Sequence, residues 1–331
     1  MEDLQLILKK EPKYRLKQVK EAVYRDLIGN WDFALTLPLS LRKQLNEKLP
    51  LEIKAEIFDS RDQKTTKALI ELQDGNKIET VLMRYSEKRN TVCVSSQVGC
   101  PLSCTFCATG KMGLIRNLTA DEIVNQVLLF GRIMKKEEDK VTNIVFMGMG
   151  EPFLNYDEVI KAIKILHDPE GMNLGIRPFS LSTSGITEGI EKFALEKMEV
   201  NLAISLHSPT QELREKLMPI AKKYHLTELF KAIQSYQKIT RRKVMFEYLM
   251  LQDLNDSMDQ ALQLSKLLRG LSCMVNLIPY NETGVYKASS TQAINNFRRI
   301  LEDNYIEVAQ RYRFGEDIKA ACGQLAIRKK G

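Results

Sequence analysis

The chain has 331 residues, 44% of them hydrophobic and 27% charged, with a net charge of +7. This is the composition of a globular protein, which argues against a disordered or fibrous chain, and it leaves room for one large domain with a smaller one beside it. No apolar run reaches the roughly 18 residues that a membrane span needs, and the first residues lack the basic start and apolar stretch of a secretory signal. A cytoplasmic protein, monomeric and without a membrane partner, is therefore expected.

In chain order, residues 1 to 50 are expected to be helical. Apolar side chains recur at helical spacing through Leu16, Val19, Val23 and Leu27, and again through Leu37, Leu39, Leu41 and Leu45. Six cations lie between Lys9 and Lys20, a pattern that serves either a solvated helix face or an RNA-docking surface. From residue 51 to 85 apolar and polar residues alternate, with an Asp-Gly turn between two runs. That implies a small antiparallel sheet bridging to the main domain, with residues 1–78 as an N-terminal docking domain and 79–331 as the catalytic one.

Beyond Val92 the pattern becomes strand, then helix. The β-rich runs are TVCVSSQV, TNIVFMGMG, PFSLSTSG, VNLAISLHS, KVMFEYLML, CMVNLIPY and YIEVAQRYRF, separated by helical stretches beginning at Thr119, Tyr156, Glu188, Glu212, Ser257 and Ser290. Such alternation makes an α/β fold with a parallel sheet and helices outside it. Six or seven units are too few for a closed eightfold barrel, so an open, partial parallel β/α barrel is expected, with its site at the C-terminal ends of the strands.

Six cysteines are present, and Cys93, Cys100, Cys104 and Cys107 fall within fifteen residues. In a chain this long, without an export signal, that clustering points to metal binding or catalysis rather than to disulfide staples. Cys100, Cys104 and Cys107 are spaced to wrap one corner of an iron–sulfur cube and to leave one iron free for a ligand. Two alternatives stay open: a zinc knuckle, although no second Cys-x-x-Cys pair exists, and an electron-carrier cluster with Cys93 as fourth ligand. Gly150 and Glu151, in the run Gly-Met-Gly-Glu-Pro, end a strand where glycine lets a ligand approach the backbone and a carboxylate can bind an ammonium group. Ser182, Ser205, Leu206, His207 and Asn281 also lie at strand ends. Each alone reads as a cap or a satisfied core group.

The spacing Cys-x-x-x-Cys-x-x-Cys, within CVSSQVGCPLSCTFCATGKMGLIRNLTADEIVNQ, resembles the RlmN/Cfr class of radical S-adenosylmethionine (SAM) RNA methyltransferases, and the resemblance extends to DIKAACGQL near the end. It implies a 4Fe-4S cluster on Cys100, Cys104 and Cys107, and SAM held by Gly150, Glu151, Ser182, Ser205, Leu206, His207 and Asn281. It further implies Cys322 as the carrier of a methyl group, Cys93 as its resolving partner and Glu79 as the base that removes a ring proton, although in sequence Glu79 reads as an outward-facing strand carboxylate. The implied reaction is methylation of an electron-poor adenine carbon, with two SAM per turnover. Gly-Glu-Pro-Phe-Leu-Asn and Ser-Thr-Ser-Gly resemble the branch that modifies carbon 2, in 23S ribosomal RNA and beside certain tRNA anticodons, with flavodoxin or ferredoxin as electron donor. Arg313, Lys319 and the short segment after Asn281 depart from that branch, and Arg313 leans toward the carbon-8 branch. A radical SAM enzyme with a non-RNA substrate would keep the cluster without needing the Cys93–Cys322 pair.

Overall fold

The computed structural model of the chain describes residues 2–9, 11–281, 283–311 and 314–326; Arg313 lies outside the described residues. The first half of the sheet is antiparallel. Strands β1 (Ala55–Asp59), β2 (Thr65–Glu71) and β3 (Lys77–Arg84) form a meander that leads into β4 (Asn90–Cys93). The expected Asp-Gly turn joins β2 to β3, with Gly75 at φ +80°, a conformation glycine adopts without steric cost. These strands do not form a separate bridging sheet. They extend the main one, because β3 pairs with β4 along Val81–Arg84.

Between β4 and the next barrel strand the chain makes a two-stranded ribbon, β5 (Gln97–Cys100) against β6 (Gly113–Asn117). The run TVCVSSQV was expected to be one strand; it is broken after Cys93. Gly99 carries the bulge in this ribbon at φ +79°, where a Cβ would lie 1.9 Å from the Gly113 carbonyl oxygen. Only glycine fits there, and the tight crossing sets the loop that follows Cys100.

The parallel half comprises β7 (Asn143–Phe146), β8 (Phe179–Thr183), β9 (Asn201–Ser205), β10 (Val244–Met250), β11 (Cys273–Pro279) and β12 (Glu307–Gln310). The full sheet order is β1-β2-β3-β4-β7-β8-β9-β10-β11-β12, with β1 and β12 as edges, so the barrel is open. Among the helices, α1 (Glu2–Leu8), α2 (Tyr14–Lys20) and α3 (Leu39–Lys48) precede the sheet, and α4 (Ala120–Lys136), α5 (Tyr156–His167), α6 (Thr187–Leu195), α7 (Gln211–Leu217), α8 (Leu226–Thr240), α9 (Met258–Leu268) and α10 (Thr291–Asp303) cross between strands. Three of the expected helix starts are N-caps. Thr119 and Ser257 close capping boxes with Glu122 and Gln260, and Ser290 accepts from the Ala293 N–H. The stretch expected from Glu212 is two helices, because Pro219 ends α7 and a tight turn precedes α8.

The N-terminal helices share the core of the barrel. Val19, Val23, Trp31, Leu37, Leu41 and Leu45 are buried in one continuous apolar cluster with the sheet. The expected stripe holds only in part: Leu39 is 56% exposed, and the buried face of α3 runs through Leu41 and Leu45. No helix among the described residues is long and apolar enough to cross a membrane.

Candidate active site

The C-terminal ends of the parallel strands converge on a chamber that opens to solvent, the place where ligands bind in such folds. Cys100, at the end of β5, and Cys104 and Cys107, in the loop that follows it, line the chamber. All six cysteines of the chain are free thiols. Burial pushes the Cys100 thiol up to about 12 and raises that of Cys104 as well, so both stay neutral until a metal displaces the proton.

Gly150, Glu151, Ser182, Ser205 and His207 line it as well. Gly150 has φ +102°, and a Cβ there would meet the Gln97 side chain at 2.7 Å. The Glu151 carboxylate accepts from the Ser184 N–H at 2.7 Å and the Phe153 N–H at 3.1 Å. Burial pushes its carboxyl up, and those bonds pull it back down. The His207 ring is pushed down to about 3, chiefly by burial. Its Nδ1 accepts from the Leu249 N–H at 3.1 Å, which leaves the proton on Nε2. The ring stands edge-on to Phe106 of the cysteine loop, centroids 4.9 Å apart. Leu206 does not line the chamber: its side chain is fully buried in the core, and its N–H donates to the Glu247 carbonyl.

A second chamber, of about 820 Å³, adjoins the first. Cys93, at the end of β4, and Cys322 both line it, as does Asn281. Cys107, Met147, Arg311, Cys322 and Gly323 border both chambers, so the two share a wall. Cys93 is absent from the lining of the first chamber, apart from Cys100 and Cys104. Its thiol is pushed up to about 12, first by burial and then by the Cys322 sulfur. Cys322 opens to the chamber on one side. Enclosure on the others raises its thiol, while the Arg311 guanidinium, hydrogen-bonded to it, lowers it. Asn281 Nδ2 donates to the Cys322 carbonyl at 3.3 Å.

Glu79 does not face outward. It is 4% exposed and lines neither chamber; Lys67 Nζ lies 2.9 Å from one carboxylate oxygen and the Ala326 N–H donates to the other at 2.7 Å. The carboxylate faces inward because β3 is covered on that side by the segment that follows Cys322.

Several structuring residues had no clear signature in the sequence. Arg311 donates to Glu247 Oε1 at 2.8 Å, and Asn276 donates to the same oxygen at 2.9 Å. Ser95 Oγ donates to the Glu79 carbonyl and accepts from the Met149 N–H, and Gln97 Oε1 accepts from the Glu151 N–H. Asn155 Nδ2 donates to the Ser96 and Leu118 carbonyls. The polar run between Cys93 and Cys100 thus braces the Gly-Met-Gly-Glu-Pro turn. Arg214, fully buried, donates to the Ser184 carbonyl at 2.6 Å and ties α7 to the end of β8. Polar residues inside an apolar run were the one available signal for these, since buried polar groups must find partners.

The donor set suits an iron–sulfur cluster. Among the described residues no three His, Cys, Asp or Glu side chains are arranged to hold a single metal ion, whereas a 4Fe-4S cube takes each thiolate on a separate iron. Glu247 Oε2 and Asn281 Oδ1, on residues that line the chambers, are buried without a hydrogen-bond partner. Unsatisfied acceptors of this kind suit a ligand that brings donors, such as an amine or an adenosyl group.

Residues 94–264 match the family model of the radical SAM superfamily. The chain is 43% identical over 323 residues to the probable dual-specificity RNA methyltransferase RlmN of Symbiobacterium thermophilum, covering 96% of this chain and 86% of that protein. It is 45% identical over 319 residues to the similarly named protein of Pseudothermotoga lettingae, covering 96% and 92%. The chain belongs to the RlmN family of radical SAM methyltransferases. The crystal structure of a radical SAM methyltransferase from Sphaerobacter thermophilus superposes with a TM-score of 0.94 at 44% identity, covering 97% of this chain and 96% of that one. Membership in the superfamily implies a 4Fe-4S cluster and SAM, in keeping with the free thiols of the first chamber.

Proposed function

We propose that this chain methylates carbon 2 of an adenosine in RNA, in 23S ribosomal RNA and beside the anticodon of some tRNAs, through a methyl group carried on Cys322. The observation that carries this reading is the wall shared by the two chambers. Cys322, more than two hundred residues from the cysteine loop, borders both chambers, and Cys93 faces it in the second. A radical SAM enzyme that generated a radical for another substrate would have no use for that pair.

Cys100, Cys104 and Cys107 would ligate the cluster, and Gly150, Glu151, Ser182, Ser205, His207 and Asn281 would hold SAM. When bound, the cluster and SAM together supply a carbon radical able to remove a hydrogen atom from a methyl group. Cys322 accepts the methyl group as a thioether, with the Arg311 guanidinium favouring the thiolate that attacks. Once the Cys322 methyl carbon has bonded to the adenine ring, a base takes the ring proton; Glu79 would do so by exchanging its Ala326 N–H bond for the substrate as the covering segment moves aside. The Cys93 thiolate then attacks the Cys322 sulfur: the S–S bond forms as the C–S bond breaks, the carbon keeps the bonding pair and takes a proton to become the methyl group, and the methylated base departs, while the one unpaired electron left by radical addition would pass back to the cluster. Two electrons from an external reductant restore the dithiol. A flavodoxin or ferredoxin suits the single-electron supply to the cluster.

The second chamber offers a place for a base turned out of its stack. Tyr85 and Phe314 meet edge to face at 4.7 Å, and the Arg89 guanidinium lies 3.8 Å over the Tyr85 ring. The N-terminal helices, which pack on the barrel core rather than forming the separate domain expected over residues 1–78, are proposed as an RNA-docking surface. In its basic stretch Lys9, Lys13 and Lys17 are exposed, whereas Lys20 pairs with Asp168 at 2.8 Å and serves the fold. Lys10 lies outside the described residues.

The test is mass analysis of ribosomal RNA and tRNA after anaerobic incubation with SAM and a reductant. 2-Methyladenosine is expected, and its absence overturns the reading; 8-methyladenosine would move the protein to the other branch. Cys322→Ala is expected to abolish RNA methylation and to retain cleavage of SAM.

A further inference from the structure

The segment from Gly315 to Ala326, which carries Cys322, belongs to no strand or helix. Ala320, Ala321 and Gly323 flank the thiol and offer little side-chain surface to anchor it. Ala320 and Leu325 pack into the apolar core, with Ile318 against it, and hydrogen bonds to the rest of the protein fix the stretch around the thiol. The Arg61 N–H donates to Asp317 at 2.9 Å, Asn281 to the Cys322 carbonyl at 3.3 Å, the Ala108 N–H to the Gly323 carbonyl at 2.8 Å, Thr109 Oγ1 to the Leu325 carbonyl at 2.6 Å, and the Ala326 N–H to Glu79 at 2.7 Å.

Two of these donors, Ala108 and Thr109, directly follow Cys107. The thiol that borders both chambers therefore hangs from the loop that carries the three cysteines. The Thr109 bond is the shortest of the set, and both of its partners are buried, Thr109 at 3% and Leu325 at 5% exposed. A buried hydroxyl-to-carbonyl bond is costly to break, because the carbonyl left behind has no water to turn to.

We propose that Thr109 is a positioning residue for Cys322: its hydroxyl fastens the Cys322 segment to the cysteine loop, so that whatever orders that loop also fixes where the Cys322 thiol stands. Loading of the cluster then tightens the Cys322 segment, and loss of the cluster loosens it. The meaning of this for catalysis rests on the reading of Cys322 as methyl carrier, but the coupling itself is read from position rather than from methylation.

The experiment compares wild type, Thr109→Val and Thr109→Ser, each anaerobically reconstituted and each cluster-free. Cluster absorbance, amide hydrogen exchange across residues 318–326 and the rate of Cys322 alkylation by iodoacetamide are measured by spectroscopy and mass spectrometry. Thr109→Val is expected to keep the cluster, to speed exchange and Cys322 alkylation by about fivefold or more, and to respond less than wild type to cluster loading. Thr109→Ser, which keeps the hydroxyl, is expected to behave as wild type. Val indistinguishable from wild type, or Ser as loose as Val, overturns the proposal. Should the Val variant fail to hold a cluster, wild type and Thr109→Ser still decide: no slowing of exchange across residues 318–326 on cluster loading in these two overturns it. A wild type that methylates no RNA yet shows the Thr109 effect separates failure of the functional reading from failure of this one.

Discussion

The two chambers share a wall but are built on different principles. The first is closed by the ends of parallel strands and by one short loop, and its polar groups are largely braced by the fold: Glu151 by two backbone N–H groups, His207 by the Leu249 N–H. The second is lined by the antiparallel strand β3, the ends of β4, β7 and β11, and an irregular segment that buries Ala320 and Leu325 and hydrogen-bonds to the cysteine loop and to β3. A rigid frame suits groups that hold a cluster and a cofactor in one geometry. A segment without helix or strand hydrogen bonding suits a thiol that must meet a methyl donor, a base and a second thiol in turn, since such backbone opens more readily than a sheet or helix.

The sharpest way to break this contrast is to remove one thiol from each chamber. Cys104→Ala is expected to eliminate the cluster absorbance of reconstituted protein. Cys93→Ala should retain it in full while a covalent protein–RNA adduct builds up during turnover, visible on a denaturing gel. Loss of absorbance in the Cys93 variant would make that residue a fourth ligand and merge the two chambers into one metal site.

A smaller effect is expected at the shared wall. Arg311→Met strands the buried Glu247 carboxylate and should cost about 3 kcal/mol of stability in the cluster-free protein, measured by urea denaturation. Adding Glu247→Gln should recover part of that loss. No loss in the single variant would mean that Arg311 is not a structural strut of the wall.

The smallest effect concerns the rigid chamber in acid. The folded-state His207 titrates at about 3 against an ordinary value of 6.5, so below pH 6.5 the unfolded chain binds a proton that the folded chain refuses. The contribution of His207 is therefore intact above pH 6.5 and is lost as pH falls toward 3, by about 1.4 kcal/mol per pH unit. In His207→Asn, which keeps an acceptor for the Leu249 N–H and tolerates the left-handed backbone at φ +58°, the urea midpoint should fall less steeply between pH 7 and pH 5. Equal slopes in the two proteins would mean that His207 is solvated and that the chamber is looser than its hydrogen bonds suggest.

Much of the first chamber was legible because its ligands are local. Cys100, Cys104 and Cys107 lie within eight residues, and Gly150 and Glu151 end an obvious strand, so spacing pointed to a metal-binding loop beside a ligand-binding turn, with a zinc knuckle and a four-cysteine cluster still open. The exception is Leu206, whose place at a strand end does not reveal that its side chain points into the core. The second chamber was legible only through resemblance. Nothing near Cys322 in sequence says that it will face Cys93, and Glu79 read as a solvent-facing residue until the segment after Cys322 was seen to cover it.

By itself, the sequence determined the strand–helix alternation, the caps at Thr119, Ser257 and Ser290, and the three-cysteine loop, because each depends on side chains a few residues apart. Only the tertiary structure decided that β1 to β3 extend the main sheet, that Arg311 and Glu247 stand together at the wall, and that Cys322 hangs from the loop after Cys107. The last two join residues 64 to more than 200 positions apart. They exist because the sheet places its strand ends side by side, which no local pattern encodes.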